Sequence, residues 1–522
     1  MTNQKEFLGH PKGLFVLFFT EMWERFSYYG MRAILVLYMV SNKETINAGL
    51  GWEESSALEL YGWYTMLVYV MSIPGGWLAD NVFGQKKSVL YGGILLCFGH
   101  GVLAIEASWA FFTGLTLIVL GVGLLKPNIS TMVGGLYKQG DERRDKGFSI
   151  FYIGINLGAF FASLIVGYIG EVYGWHYGFG LAGIGMLLGQ IVYMAGQKHL
   201  STVGNLEKGT SSNGQVSLGQ LFAGIWKSPV SAIITGVFLV ASIIVLFFNS
   251  IGYGLLFIFL SLTTGVMMRM YQLLESKVDK DRYVVILLSF LLIIVFWSAF
   301  EQAGGLMNIY ALAKTNRVIG GFEIPASVFQ SLNPFYIIAL GVPIAAFWAW
   351  WKRRGKEGSS LFKMALGVII MGSGFLFMTK SSMEVEMNGE DVVQKSAMIW
   401  LVLAYLFHTV GELCASPVAL SFITKLAPVR YASFMMGAYF AATGLGNKVA
   451  GSLGEAATEG AGELQIFTGI AIFCMIFGLI VLAMLKPLKR LTHGAEDLRP
   501  TVVSGEPEPY EIADEALVND NN

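Results

Sequence analysis

Runs of apolar residues, each roughly 20 or more long, alternate with short charged stretches over nearly the whole chain. They cover 14–41, 54–80, 86–106, 109–131, 146–170, 174–197, 228–249, 252–272, 283–313, 326–351, 360–380, 395–425, 430–454 and 464–486. Each is long enough to cross a bilayer as a helix, so the pattern predicts an all-α polytopic membrane protein with fourteen spans. Several approach about 30 residues, which implies tilt or protrusion beyond the hydrocarbon.

Lysine and arginine set the expected orientation. Loops on the amino-terminal side carry Lys86 and Lys87; Lys138, Arg143, Arg144 and Lys146; Lys277, Lys280 and Arg282; and Lys352, Arg353, Arg354 and Lys356. The opposite loops hold Lys43, Lys314, Arg317, Lys380 and Lys395, beside acids such as Glu384, Glu386, Glu390 and Asp391. Both termini are therefore expected in the cytoplasm, as an even span count requires. Six spans precede Lys198 and six follow Arg282. The expected organisation is a first six-helix bundle (1–200), a linker with an inserted two-helix hairpin (201–281), a second six-helix bundle (282–487) and a disordered acidic tail (488–522). The halves show no clear tandem repeat, so this division rests on span count and charge. The hairpin carries almost no charge within its spans and reads as a lipid-facing accessory.

Composition agrees with the pattern. Charged residues make up 14% of the chain against about 25% in soluble domains, and mean hydropathy is +0.59. A net charge of −1 offers nothing to nucleic acid. The polar amino terminus MTNQKEFLGHPKG runs straight into a full-length span, so no cleavable signal peptide is expected. Cys97, Cys414 and Cys474 lie in apolar stretches and read as packing residues, with no metal spacing. Glycine occupies 63 of 522 positions against an average of about 7%, which suits close helix packing.

The first span, LFVLFFTEMWERFSYYGMRAILVLYMV, departs from this apolar rule. Glu21, Glu24, Arg25, Tyr28 and Arg32 recur at helical spacing along one stripe, with Tyr29 on its flank. Each ionisable group costs at least a few kcal/mol at the centre of a membrane helix, so the stripe must face protein or an aqueous cavity. It forms either an ion-pair network that fixes helices together or a proton and solute pathway, and we take the second reading. Four further charges sit in apolar surroundings: Lys126, Glu301, Glu412 and Lys448. The balance of acids and bases suggests pairing across a shared cavity. Arg32 and Lys126 fall in the first half, Glu301 and Glu412 in the second, so cross-half pairs could open and close as the halves rock. A cavity positive on one wall and negative on the other complements a zwitterion whose amine and carboxylate lie several ångströms apart. Tyr28, Tyr29, Tyr69, Asn156, Trp297, Asn333 and Tyr439 accompany the charges; singly, each aromatic is accounted for by packing, while the Asn156 amide, which needs partners in apolar surroundings, reads equally as bonding between helices or as part of the site. His100 and His408 read as satisfied structural histidines rather than proton carriers. No nucleophile–base pair, metal set or phosphate loop stands out, so the chain does not read as an enzyme.

Three stretches together resemble the proton-dependent oligopeptide transporter family of the major facilitator superfamily: EMWERFSYYG (21–30), with its ExxER signature, GGWLADNVFGQKK (75–87) and FYIGINLGAF (151–160). FQSLNP (329–334) and GELCASP (411–417) are similar to the family's eighth and tenth spans, and the short 381–394 loop resembles bacterial members. The resemblance implies a major facilitator fold with an inserted hairpin. It implies that Glu21, Glu24, Arg25 and Glu301 handle the coupling proton, with Glu301 paired to Arg32 in one state. Arg32 and Lys126 would face a peptide carboxylate, and Glu412, with Asn156 and Asn333, its amino terminus. Tyr28, Tyr29, Tyr69, Trp297, Ser416 and Tyr439 would line the remainder of the substrate site. Where mammalian relatives place a histidine on the second span this chain has Gly62, so proton handling falls to carboxylates. Tyr439 replaces a tryptophan of some bacterial members, and Lys448 matches no position with a family role.

The expected function is a proton-coupled symporter of di- and tripeptides in the bacterial inner membrane. It would work by alternating access among lipids, with the proton as coupling ion and no other cofactor or metal. A carrier of nitrate or another small anion is the rival within transport, and Glu412 argues against it because an anion gains nothing from a facing carboxylate. A non-transporting peptide sensor is the rival outside it; a sensor would bind without accumulation.

Overall fold

A computed structural model describes residues 6–138, 141, 143–206, 218–248, 250–389, 391–428 and 431–495. All fourteen expected spans fall on helices. In chain order these are α1 (Lys12–Val40), α2 (Glu54–Val70) continued by α3 (Ser72–Leu78), α4 (Gln85–Leu103), α5 (Ser108–Gly135), and α6 (Arg143–Ala162) continued by α7 (Tyr168–Tyr173). There follow α8 (Trp175–Ala195), the short α9 (Leu218–Ile225), α10 (Pro229–Phe248), α11 (Ile251–Leu273), and α12 (Lys277–Phe300) continued by α13 (Leu306–Lys314). The last are α14 (Leu332–Arg353), α15 (Ser360–Glu384), α16 (Met398–Leu426), α17 (Ala432–Ala456), α18 (Glu463–Ala483) and the short α19 (Leu485–Leu491). Ten spans are long and apolar enough to cross a membrane by composition alone. The other four, α1, α2 with α3, α4 and α17, pack against them.

Local chemistry explains the interruptions. Pro74 has no N–H to give Val70, and the second span breaks between α2 and α3. Gly174, at φ +148°, separates α7 from α8. A π-turn at Ser163–Gly167 interrupts the fifth span, and a 3₁₀ turn at Glu301–Ala303, which includes the buried Glu301, divides the ninth. Pro127, Pro343 and Pro417 sit inside continuous helices.

Within the first half α1 packs on α6 and α8, and α4 on α5 and α8; within the second, α15 packs on α16 and α18, and α12 on α17. The halves meet where α2 crosses α17 and α6 meets α14. Gly62 permits the first crossing, because a Cβ there would lie 3.0 Å from the Gly451 Cα. We call the end bearing the Lys/Arg-rich loops the basic end, and the other, with loops 41–53, 315–325 and 385–397, the far end.

The hairpin helices α10 and α11 are the least buried of the ten apolar spans, and Tyr253 of α11 stacks edge-on against Trp63 of α2 at 5.3 Å. Two expectations need correction. The tail does not begin loose at 488, because α19 continues to Leu491 and Arg282 donates to the Thr492 carbonyl at 3.0 Å; residues 496–522 lie outside the described residues. His100 and His408 are fully buried but not satisfied, since neither ring has a hydrogen-bond partner among the described residues. His408 lies over Phe375 at 4.4 Å instead.

Candidate functional site

Helical periodicity carries the first-span stripe inward: Glu21, Glu24, Arg25, Tyr28 and Arg32 are all buried. The Nε of Arg25 donates to Glu21 Oε1 at 2.8 Å and lies 2.6 Å from Glu24 Oε2 without hydrogen-bond geometry. Glu24 is thus a fully buried carboxylate whose partner among the described residues is the Arg25 guanidinium. The Arg25 guanidinium also lies 5.8 and 5.9 Å from the ring centres of Tyr28 and Tyr29.

Two turns further along the same helix, Arg32 Nη1 reaches into the second half and donates to both oxygens of Glu301 at 3.0 Å. Tyr61 of α2 adds a hydroxyl at 3.3 Å, and Tyr29 covers the Arg32 guanidinium at 4.9 Å. The neighbouring Ala33 carbonyl accepts from Asn308 at 2.8 Å and Gln330 at 3.3 Å. The buried ion pair, the Tyr61 hydroxyl and the side-chain bonds to the Ala33 carbonyl therefore join the halves on the far-end side of the site.

The other two charges of the cavity, Lys126 and Glu412, make no ion pair among the described residues. Lys126 stands 4.0 Å over the Tyr69 ring rather than in an ion pair with a described carboxylate. Its electrostatic neighbours are Arg25, Glu24, Glu21 and Glu301. Glu412 accepts from Asn333 Nδ2 at 2.7 Å, and the same amide lies 3.1 Å from Thr409 Oγ1. Glu412 is within electrostatic reach of Glu301 and Arg32, so the wall it forms faces the same interior. The Asn156 amide, for which bonding between helices and a site role both stood open, donates within its own helix to the Tyr152 carbonyl at 3.0 Å. Trp297, Ser416 and Tyr439 line one small apolar cavity with Phe296, Met364 and Val368.

Lys448 departs from the expected balance of charges. It is 3% exposed and lies 4.7 Å from the Trp63 ring and 4.9 Å from the Tyr253 ring, with Ser452 Oγ at 3.2 Å. Two aromatic rings flank the ammonium, which makes no ion pair among the described residues and lies within electrostatic reach of Glu455. Sequence reasoning missed Tyr61, Thr409 and this cage. The polar Tyr61 beside Gly62, and Thr409 one turn before Glu412, were the available signals.

Two helical halves enclosing a charged interior, with an inserted hairpin, define a transporter of the major facilitator type. The family model of the POT family matches residues 86–470. The transporter YclF of Bacillus subtilis, described as uncharacterized, is 39% identical to the chain over 94% of it and 97% of its own length. A di-/tripeptide transporter of Lactococcus lactis subsp. lactis is 37% identical over 94% and 98%. A crystal structure of a peptide transporter POT in complex with sulfate matches with a TM-score of 0.77 at 38% identity, covering 94% of this chain and 97% of that one. The chain belongs to the POT family, and it is a multi-pass membrane transporter.

Proposed function

We propose that the protein is a symporter that imports di- and tripeptides with protons by alternating access. The observation that carries the reading is the Arg32–Glu301 pair, a buried charge contact made between the halves rather than within one. A ligand or proton shifts a conformational equilibrium only by its differential affinity for the two states. Protonating Glu301 removes one partner of that contact and so favours separation of the halves at the far end. Arg32 and Lys126 offer cations to the peptide carboxylate, and Glu412, oriented by Asn333, offers a charge-assisted acceptor to its ammonium group. Lys126 makes no ion pair among the described residues, which favours it as the first contact of that carboxylate. Asn156 extends the polar surface beside them, while Tyr28, Tyr29, Tyr69, Trp297, Ser416 and Tyr439 shape the space for side chains.

Glu21, Glu24 and Arg25 form the coupling cluster in this scheme. Glu24 is fully buried beside Arg25 and within electrostatic reach of Glu21 and Lys126, so it is the acid we assign to proton exchange. The driving force is sufficient: one charge moving through 100 mV is worth about 2.3 kcal/mol. No cofactor besides the proton enters the scheme. The setting is the bacterial inner membrane, with the basic end and both termini in the cytoplasm and lipid around the bundle. The two bundles span 1–200 and 282–487, joined by the segment carrying the hairpin. The test is uptake of labelled dialanine into proteoliposomes with and without an inward proton gradient. Accumulation above equilibrium only with the gradient is expected; binding without accumulation would support a sensor instead.

A further inference from the structure

The first turn before α14 begins at Ala326 after Pro325, whose backbone (φ −57°, ψ 139°) is extended and whose side chain offers no acceptor. Its first N–H groups are therefore orphans of the kind a capping side chain normally satisfies. The cap comes from the other half of the molecule. Glu171, in α7, accepts from the Ala326 N–H at 2.8 Å through one oxygen. Its other oxygen accepts from the Ser327 N–H at 3.1 Å and the Ser327 hydroxyl at 2.9 Å. The guanidinium of Arg317, itself buried, lies 3.5 Å from the first oxygen and holds Glu323 with its other nitrogen at 2.8 Å. Gly167 gives the approach room, since a Cβ there would sit 2.7 Å from the Ser327 hydroxyl. Asn47 ties the end of α7 to the first half, donating to the Gly170 and Glu171 carbonyls at 2.9 and 3.1 Å and accepting from the Trp175 N–H at 3.0 Å. Glu171 must then move with the first half, and its four partners with the second.

We propose that Glu171 is a gate residue of the transport cycle, a carboxylate from one half that caps a helix of the other and holds the far end shut. The proposal rests on the alternating-access reading above. Separation at the far end breaks all of these contacts together, so the cap stabilises only the state closed there and sets the balance of states without touching substrate. It acts at a different level from the Arg32–Glu301 pair and uses backbone donors, which no change of side chain in the second half other than proline can remove. A glutamine at 171 keeps one acceptor oxygen but turns an amide toward N–H, hydroxyl and guanidinium donors.

The test is the distance distribution between spin labels at Ile46→Cys and Val393→Cys, exposed far-end positions in opposite halves, with Cys97, Cys414 and Cys474 replaced by alanine. The full chain is measured in lipid, with and without dialanine. Wild type should show a dominant short distance and a minor long one. Glu171→Gln should raise the long-to-short ratio at least about tenfold, within the range of known conformational couplings. Ala326→Pro removes one N–H at a first-turn position where proline fits, so it should shift the ratio the same way, and the double variant should show less than the product of the two effects. Ser327→Ala, which removes only the hydroxyl, should shift it less. An unchanged ratio in Glu171→Gln, or fully multiplicative effects in the double variant, would overturn the latch while leaving alternating access intact. A single distance in wild type under every condition would overturn alternating access and the latch with it.

Discussion

Arg25 and Arg32 stand two turns apart on one face of one helix, yet they meet carboxylates in opposite ways. Arg25 holds Glu21 and Glu24 of its own helix, whereas Arg32 holds Glu301, 269 residues away in the other half. A contact within one helix keeps its geometry whichever way the halves tilt, so it can influence the cycle only by changing charge. A contact between halves changes whenever they move, so it can act as a latch. The proposed cycle follows this division: the Glu21–Glu24–Arg25 cluster exchanges the proton, and the Arg32–Glu301 pair reports and resists the motion.

The largest expected effect comes from breaking the latch. Arg32→Ala leaves Glu301 buried without its counter-charge, a change of about 3–5 kcal/mol unless that acid takes up a proton. Gradient-driven uptake of dialanine should disappear while the protein still reaches the membrane; wild-type accumulation by this variant would remove the distinction drawn here. Glu412→Gln should weaken binding of free dipeptides by roughly 10- to 100-fold, the scale of a lost charge-assisted bond of about 1.5–3 kcal/mol, and should spare any binding of peptides acetylated at the amino terminus. Calorimetric titration with both ligand types checks this, and equal losses would move the amine site elsewhere. Tyr253→Ala opens the cage around Lys448, outside both clusters. It should cost about 1–2 kcal/mol of stability, seen as a lower melting temperature, with uptake per folded carrier retained.

The smallest effect belongs to an ion pair in water, which serves as a reference for the buried ones. Burial pushes the Glu357 carboxyl up, but bonds from Lys489 and Ser359 outweigh it and hold the group at about 2. A carboxyl lowered on folding adds stability above its unfolded value of about 4.3 and loses it as pH falls toward 2. Glu357→Gln should therefore melt slightly below wild type at pH 6, and the gap should shrink as the pH is lowered through that window. Because the pair is partly exposed, salt should shrink it as well.

The spans were legible because lipid leaves only apolar helices as an option, and glycine and proline mark where they stop. The short α9 and α19 were not legible, since LGQLFAGI and LKPLKRL are too short to stand out beside membrane spans. The stripe on α1 was legible because 3.6-residue periodicity places charges on a face. Partnership was only partly so. Opposite charge in opposite halves suggested cross-half pairs without naming them, and the family resemblance supplied Arg32 with Glu301; the same charge logic suggested ionic partners for Lys126, Glu412 and Lys448, which found a tyrosine ring, an amide and an aromatic cage. Aromatic faces and amides leave no charge signature in a sequence. Glu171 was invisible for another reason: an acid at the end of a span looks like ordinary surface, and its partners are backbone N–H groups.

The division between a charge-exchanging cluster and a moving latch is tested most directly by Glu24→Gln in a single proteoliposome preparation, measuring dialanine counterflow and gradient-driven uptake side by side. Exchange requires only that the loaded carrier change sides, whereas net uptake also requires an acid that releases its proton inside. The account predicts that counterflow persists while gradient-driven accumulation is lost. Accumulation at the wild-type level in Glu24→Gln would contradict it and place the coupling proton on Glu21 or Glu301.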